Sequence, residues 1–206
     1  IAFNRVNMTT DKKLIIREDH NLGIIRLILN EPKSKNALSK KMISELTEVI
    51  SVASLDYHVK VIIIAASGDV YSAGHDLREI TEARSQKDYG ESYFKDLFNS
   101  CSSLMKLIIE CPKPIIAEVK GVATAAGCQL VATCDLAISS DSSRFATPGV
   151  NIGLFCSTPM VALSRNVSKK DAMKMLLTGD MIDAHEAKRI SLINDFVPEN
   201  ELKDSV

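Results

Sequence analysis

Two stretches of this chain place small residues immediately before a helix start. One is Tyr71-Ser72-Ala73-Gly74-His75-Asp76-Leu77-Arg78. The other runs from Gly121 to Gly127, with Ala123-Thr124-Ala125-Ala126 at its centre. Small side chains let backbone come close to a bound molecule, and the first N–H groups of a helix have no partner within it. Two such donors facing one another can hold an oxygen that gains negative charge during a reaction. Either stretch alone is most simply a tight turn. The pair is more specific, because each follows an apolar run of strand length, Lys60 to Ala66 and Pro114 to Val119. One turn into the second helix stands Gln129. Its amide cannot exchange a proton near neutral pH.

The elements that must position these stretches alternate along the chain. Lys13 to Arg17 and Gly23 to Leu29 read as a hairpin around Asp19-His20-Asn21. Ser39 to Leu55 carries Met42, Leu46, Val49, Ile50 and Ala53 on one stripe, which predicts an amphipathic helix capped by Ser39. The solid apolar run at Lys60 to Ala66 predicts a strand buried on both faces. Ser67 to Ala73 reads as a loop, and a helix starts near Asp76. Tyr89 to Cys111 predicts a long helix with Phe94, Leu97, Phe98, Cys101, Leu104, Met105 and Ile108 on one face, ended by Pro112 and Pro114. After the strand at Pro114 to Val119 come a short helix at Thr124 to Cys134 and a strand at Leu136 to Ser139. Helices follow at Pro159 to Arg165, Lys169 to Thr178 and Asp183 to Arg189, then a strand at Leu192 to Val197. Asp183 and Glu186 make a capping-box pattern. The class is α/β, in one domain.

With 206 residues, 46% hydrophobic and 25% charged, the chain can bury a sizeable core. A net charge of −1 and the lack of a basic stripe argue against nucleic acid and against an anionic membrane. No apolar run is long enough to cross a bilayer. Cys101, Cys111, Cys128, Cys134 and Cys156 show no metal spacing and read as reduced, mostly buried thiols. No metal site is expected.

Several motifs in order resemble the crotonase superfamily, also called the enoyl-CoA hydratase/isomerase family. They are Asn36-Ala37-Leu38, Ser72 to Leu77, Pro112-Lys113-Pro114-Ile115-Ile116-Ala117 leading to Gly121, Ala126-Gly127-Cys128-Gln129-Leu130 with Cys134-Asp135, and Phe145-Ala146-Thr147-Pro148. Leu177-Thr178-Gly179 and Ala184-His185-Glu186-Ala187 continue the match, which runs from about Lys13 to Glu201. The resemblance implies a spiral of ββα units, a homotrimer or hexamer, and an acyl-CoA thioester as ligand, with coenzyme A as part of the substrate. Residues 1–12 then read as a leader or disordered segment. Residues 13–206 read as the acyl-CoA-binding domain, with the family's C-terminal helical region cut short. Position by position, the oxyanion-hole N–H groups fall on His75 and Ala126. Lys35, Asn36 and Ala37 lie along the coenzyme, and Asp76, Leu77 and Arg78 lie near its adenine. The implied compartment is the cytoplasm for a bacterial chain and the mitochondrial matrix for a eukaryotic one.

The chain departs from the family at its acid and base. Hydratases of the family use two glutamates; their positions here are Gln129 and Gly149. The expectation is an acyl-CoA-binding protein of fatty-acid metabolism with weak or no hydratase activity. The alternative is an active lyase, hydrolase, decarboxylase or isomerase with another acid or base: His75, Cys156 or the substrate itself. A third reading is a scaffold without ligand. His75 serves either by its backbone alone or as a proton carrier. Gly149 leaves room for a carboxylate or bicarbonate ion. Asp76 is expected to cap a helix, Asp135 to be structural, and Glu82 and Arg84 to face solvent. Cys128 and Cys156 are possible pocket residues without a sign of activation.

Overall fold

The computed structural model describes residues 13–206. The expected leader at residues 1–12 lies outside them. The hairpin forms as β1 (Ile15–Asp19) and β2 (Ile24–Leu29), antiparallel, with Ile15 opposite Leu29. Helix α1 (Lys40–Leu55) starts where Ser39 accepts the Met42 N–H at 3.1 Å. Ile43 joins the expected stripe in the core, while Val49 is only half-buried. Lys113 donates its ammonium to the carbonyls of Ala53 and Asp56, neutralising the negative end of α1.

Three repeats follow. In each, a first strand enters one sheet, a second enters another, and a helix returns. The first holds β3 (Val61–Ala66), β4 (Val70–Ser72) and α2 (Leu77–Arg84), with α3 (Glu91–Ile109) appended. The second holds β5 (Ile115–Val119), β6 (Val122–Thr124) and α4 (Ala126–Thr133). The third holds β7 (Leu136–Ser140), β8 (Arg144–Ala146), α5 (Ser157–Asn166) and α6 (Lys169–Thr178). Then come β9 (Ile182–Asp183), α7 (Ala184–Arg189), β10 (Asp195–Val197) and α8 (Leu202–Ser205). The larger sheet runs β1-β2-β3-β5-β7-β10 and the smaller β4-β6-β8-β9. The first strands of the repeats pair in parallel, as do the second strands. This is the expected α/β spiral of ββα units.

Successive repeats stack tightly at their turns. Gly121, between β5 and β6, has φ +74°, and a methyl group there would run into the carbonyl oxygen of Asp69 in the preceding repeat. Helices α1 and α3 pack on one another, α4 packs on β4 and β6 of the smaller sheet, and Leu27, Ile62, Ile64, Leu46 and Leu104 are fully buried in the shared core.

The second strands correct the sequence reading. Ser67 to Ala73 is not all loop, because it contains β4. Thr124 belongs to β6, so the next helix begins at Ala126. β8 and β9 were not expected. Strands of two or three residues show no alternation to read, and only pairing across repeats defines them. The last strand starts at Asp195; Leu192 and Ile193 instead pack into the core.

Candidate functional site

Four hydrogen bonds fasten the segment Lys35–Leu38 to the first small-residue loop. The Ala73 N–H donates to the Lys35 carbonyl at 3.1 Å, and the Leu38 N–H to the Gly74 carbonyl at 2.7 Å. The Ser72 hydroxyl donates to the Asn36 carbonyl at 2.9 Å, and His75 Nδ1 lies 3.2 Å from the Leu38 carbonyl. The Asn36 side chain is fully buried. It accepts the Glu31 N–H and donates to the carbonyls of Ser67 and Val70, so it is a clasp. Lys35 and Asn36 both adopt positive φ, 55° and 49°, which bends the segment against the loop.

The second small-residue loop meets the first at Gly74. A methyl group on Gly74 would lie 2.9 Å from the Ala125 methyl and 3.1 Å from the Ala126 nitrogen. His75 and Ala126 both line one cleft, and among the described residues neither backbone N–H donates to a protein acceptor. Ala125 precedes helix α4 with φ 50° and ψ −120°, a conformation glycine enters freely and alanine does not. All eight residues of α4 are buried. Gly127 lets the helix touch β4, since a methyl group there would collide with the Ser72 carbonyl.

The cleft holds about 520 Å³. Leu77, Phe98, Ile152, Leu154 and Phe155 line it and stay 43–66% exposed, so its mouth is apolar. The sequence reading missed the last three. They lie at and just after the end of a short 3-10 helix, Pro148–Ile152, closed by Gly153 at φ +76°, a stretch too short for periodicity to mark a buried face. A signal was present in the unexplained apolar run itself.

His75 and Cys156 are the titratable side chains in the lining. A carbonyl only accepts, so the Leu38 contact assigns the proton to Nδ1 and leaves Nε2 as an acceptor; Nε2 is buried without a partner. Burial lowers the His75 pKa below its ordinary 6.5, opposed in part by the Leu38 carbonyl and the Glu79 carboxylate. The ring is therefore neutral at pH 7. Burial raises the Cys156 thiol, offset in part by the Gly149 N–H beside its sulfur. Cys128 is fully buried and pushed up to about 12. Neither cysteine is an activated nucleophile.

The two glutamate positions part company. Gly149 lines the cleft, but the expected room for an anion at its side-chain position is filled. A methyl group there would lie 2.8 Å from Cys156 Sγ and 2.8 Å from the Leu154 carbonyl. Gln129 lines a neighbouring cavity of about 330 Å³. Asp76 caps α2 by accepting the Arg78 N–H at 2.8 Å, and its carboxylate pairs with the exposed Arg78 guanidinium, which holds its pKa below the usual range. Of the six residues expected along the coenzyme, Leu77 lines the cleft; Lys35, Asn36 and Ala37 lie in the segment before α1, Asp76 caps α2, and Arg78 lies in its first turn, none of them in the lining. Asp135 accepts the Ile115 N–H at 2.8 Å and joins β5 to the start of β7, a structural role. Glu82 and Arg84 are exposed. Among the described residues no cluster of three or more His, Cys, Asp or Glu is placed to hold a metal ion, and no helix is long and apolar enough to cross a membrane.

Spiral, paired loops and cleft define a class, and comparison with known proteins agrees. The family model described as Enoyl-CoA hydratase/isomerase matches residues 19–206, and the chain belongs to this family. Within it the chain is similar to enoyl-CoA hydratase domain-containing protein 3, mitochondrial. It is 52% identical to the Xenopus laevis protein over 92% of this chain and 62% of that one. It is 50% identical to the Homo sapiens protein over 88% and 58%. The chain thus spans about three fifths of the length of these relatives. The crystal structure of the human protein superposes with a TM-score of 0.87 at 46% identity, covering 94% of this chain and 74% of that one. An enoyl-CoA hydratase structure from Mycobacterium smegmatis gives 0.89 at 44%, with the same coverage.

Proposed function

We propose that this protein binds acyl-CoA thioesters, polarises the thioester carbonyl between the His75 and Ala126 N–H groups, and hydrates enoyl-CoA weakly or not at all. The observation that supports this reading is that His75 and Ala126, whose backbone N–H groups have no protein acceptor among the described residues, line one apolar cleft. Such donors act on the charge that develops on oxygen, and losing one typically costs about 3–4 kcal/mol in the barrier. Hydration needs a group to deliver the proton and another to activate water. Gln129 and Gly149 supply neither. In this reading coenzyme A lies along Lys35–Ala37 and Asp76–Arg78 as part of the substrate, and three or six copies assemble. The names of the Xenopus and human relatives say mitochondrial, which supports the mitochondrion for a eukaryotic chain; in this reading the compartment there is the matrix, and a bacterial chain would act in the cytoplasm.

Calorimetry with acyl-CoA thioesters, paired with a crotonyl-CoA turnover assay, tests the proposal. Saturable binding is expected, with turnover well below ~1 s⁻¹. Turnover well above that rate would refute the loss of hydratase chemistry, and an absence of binding would leave only a scaffold. A second reading is favoured by the neutral His75 imidazole in the cleft lining. Here the protein is an enzyme that uses His75 as its proton carrier for another acyl-CoA reaction. Mass spectrometry of an acyl-CoA panel would show its product, and this reading fails if none forms.

A further inference from the structure

The segment before α1 and the loop before α2 run side by side. Beyond the hydrogen bonds at Lys35, Asn36 and Leu38 comes one more, where the helices start. The Lys40 N–H, the first of α1, donates to Glu79 Oε2 on α2 at 3.1 Å. The Tyr93 hydroxyl on α3 donates to the same oxygen at 2.8 Å. One carboxylate oxygen therefore joins three helices. Helix α1 has no acidic residue in its own first turn, so Glu79 supplies the negative charge that its N-terminus favours. Hydrogen bonds to a charged acceptor are roughly twice as strong as neutral ones, and Glu79 and Tyr93 are both half-buried. The Lys40 ammonium adds a second tie to α3, 5.4 Å over the Tyr93 ring and 3.3 Å from Asp96, but that ion pair is exposed and weak.

The His75 imidazole has two supports, and they belong to different helices. Its Nδ1 lies 3.2 Å from the Leu38 carbonyl, two residues before α1. Its ring meets the Phe98 ring of α3 edge-on, with centroids 5.9 Å apart and planes at 74°. Phe98 in turn stacks on Phe94, the residue after Tyr93, at 6.3 Å. His75 itself stands two residues before α2. Both supports need a fixed gap. A hydrogen bond is lost beyond about 3.5 Å, and an aromatic pair holds between about 4.5 and 7 Å. Glu79 does not line the cleft, but Leu77 and Ile80 on the same helix do.

We infer that Glu79 is a positioning residue for His75: by joining the start of α1 to α2 and α3, it fixes the gap between the Leu38 carbonyl and the Phe98 ring in which the imidazole sits. This rests on the proposed role of His75 in the cleft. The carboxylate touches no ligand in this arrangement. It acts through the two walls that hold the imidazole, and through the turn that carries the His75 N–H.

The test combines calorimetry of the full chain with octanoyl-CoA and nitrogen-15 NMR of the His75 imidazole near pH 8. In the parent the proton should sit on Nδ1. Glu79→Ala should bind octanoyl-CoA about tenfold more weakly, as loss of a charged hydrogen-bond acceptor allows, and should show both imidazole tautomers. Glu79→Gln keeps an oxygen that accepts the same two bonds, so affinity should stay within about threefold of the parent, with the proton on Nδ1. Tyr93→Phe should weaken binding about threefold in the parent and leave it unchanged in Glu79→Ala, because both changes act through one contact. Should the alanine variant misfold, Tyr93→Phe supplies both readouts. A lower melting midpoint with affinity and tautomer unmoved marks a merely structural tie and overturns the inference. So does a glutamine variant that falls as far as alanine. If the parent binds no thioester, the acyl-CoA reading fails, and the tautomer still decides whether Glu79 positions His75.

Discussion

Ala125 holds the geometry of the cleft at a conformational cost. Its φ of 50° with ψ −120° is glycine territory, yet its methyl packs against Gly74. Ala125→Gly should relieve about 1–3 kcal/mol of strain, against about 0.5–1 kcal/mol of added chain entropy. A net gain of about 1 kcal/mol raises the melting midpoint by about 2–4 °C, readable by calorimetry. His75 gives the second prediction at this scale. Its folded pKa lies below the ordinary 6.5 because burial penalises the charged ring. The unfolded chain therefore binds the proton more readily. The stability tied to the neutral ring is complete above the ordinary value and is lost as pH falls through the window below it. Denaturant midpoints of His75→Gln should depend less on pH than those of the parent in that window. Equal slopes would show that the imidazole does not titrate in the fold.

At the scale of elements, α4 is the member whose position everything else serves. It is a two-turn helix with no exposed face, wedged against β4 through Gly127. Gly127→Ala drives a methyl into the Ser72 carbonyl, a backbone atom that cannot swing away. The expected cost is about 1–3 kcal/mol. The displacement would also move the Ala126 N–H, so acyl-CoA affinity should fall along with the melting midpoint. A variant that loses stability but keeps full affinity would separate the helix position from the site. Legibility at this scale followed element length. Sixteen residues of α1 displayed their stripe and their serine cap in the sequence. β8, with three residues, could not display a period, and its identity comes from hydrogen bonds to β6.

Across the whole molecule the larger sheet is locked by an ion pair between distant parts of the chain. Arg26 on β2 reaches over β3 to Glu118 on β5, with contacts of 2.5 and 2.7 Å and side chains 14% and 7% exposed. Arg26 also meets Glu18 at 3.2 Å. Glu118→Ala would leave the guanidinium poorly paired in a buried place, at a cost of about 3 kcal/mol or more. Urea midpoints should show it; an unchanged midpoint would mean that Glu18 and solvent replace the lost partner. Neither residue stood out in the sequence, because the two lie 92 positions apart and only strand order brings them together.

The sequence by itself determined the repeating strand–helix order, the caps at Ser39, Asp76 and Asp183, the small residues at the two loops, and the uncharged residues at Gln129 and Gly149. Those are properties of local backbone preference and of residue chemistry, and they need no partner to be read. Tertiary structure alone decided which residues share a cavity. It put His75 and Ala126 in the lining of one cleft across two repeats, filled the space beside Gly149 with Cys156 and Leu154, and set Gln129 in the lining of a different cavity. A side chain's chemistry is written in the chain; its neighbours are set by packing between elements far apart in sequence, and no local pattern records them.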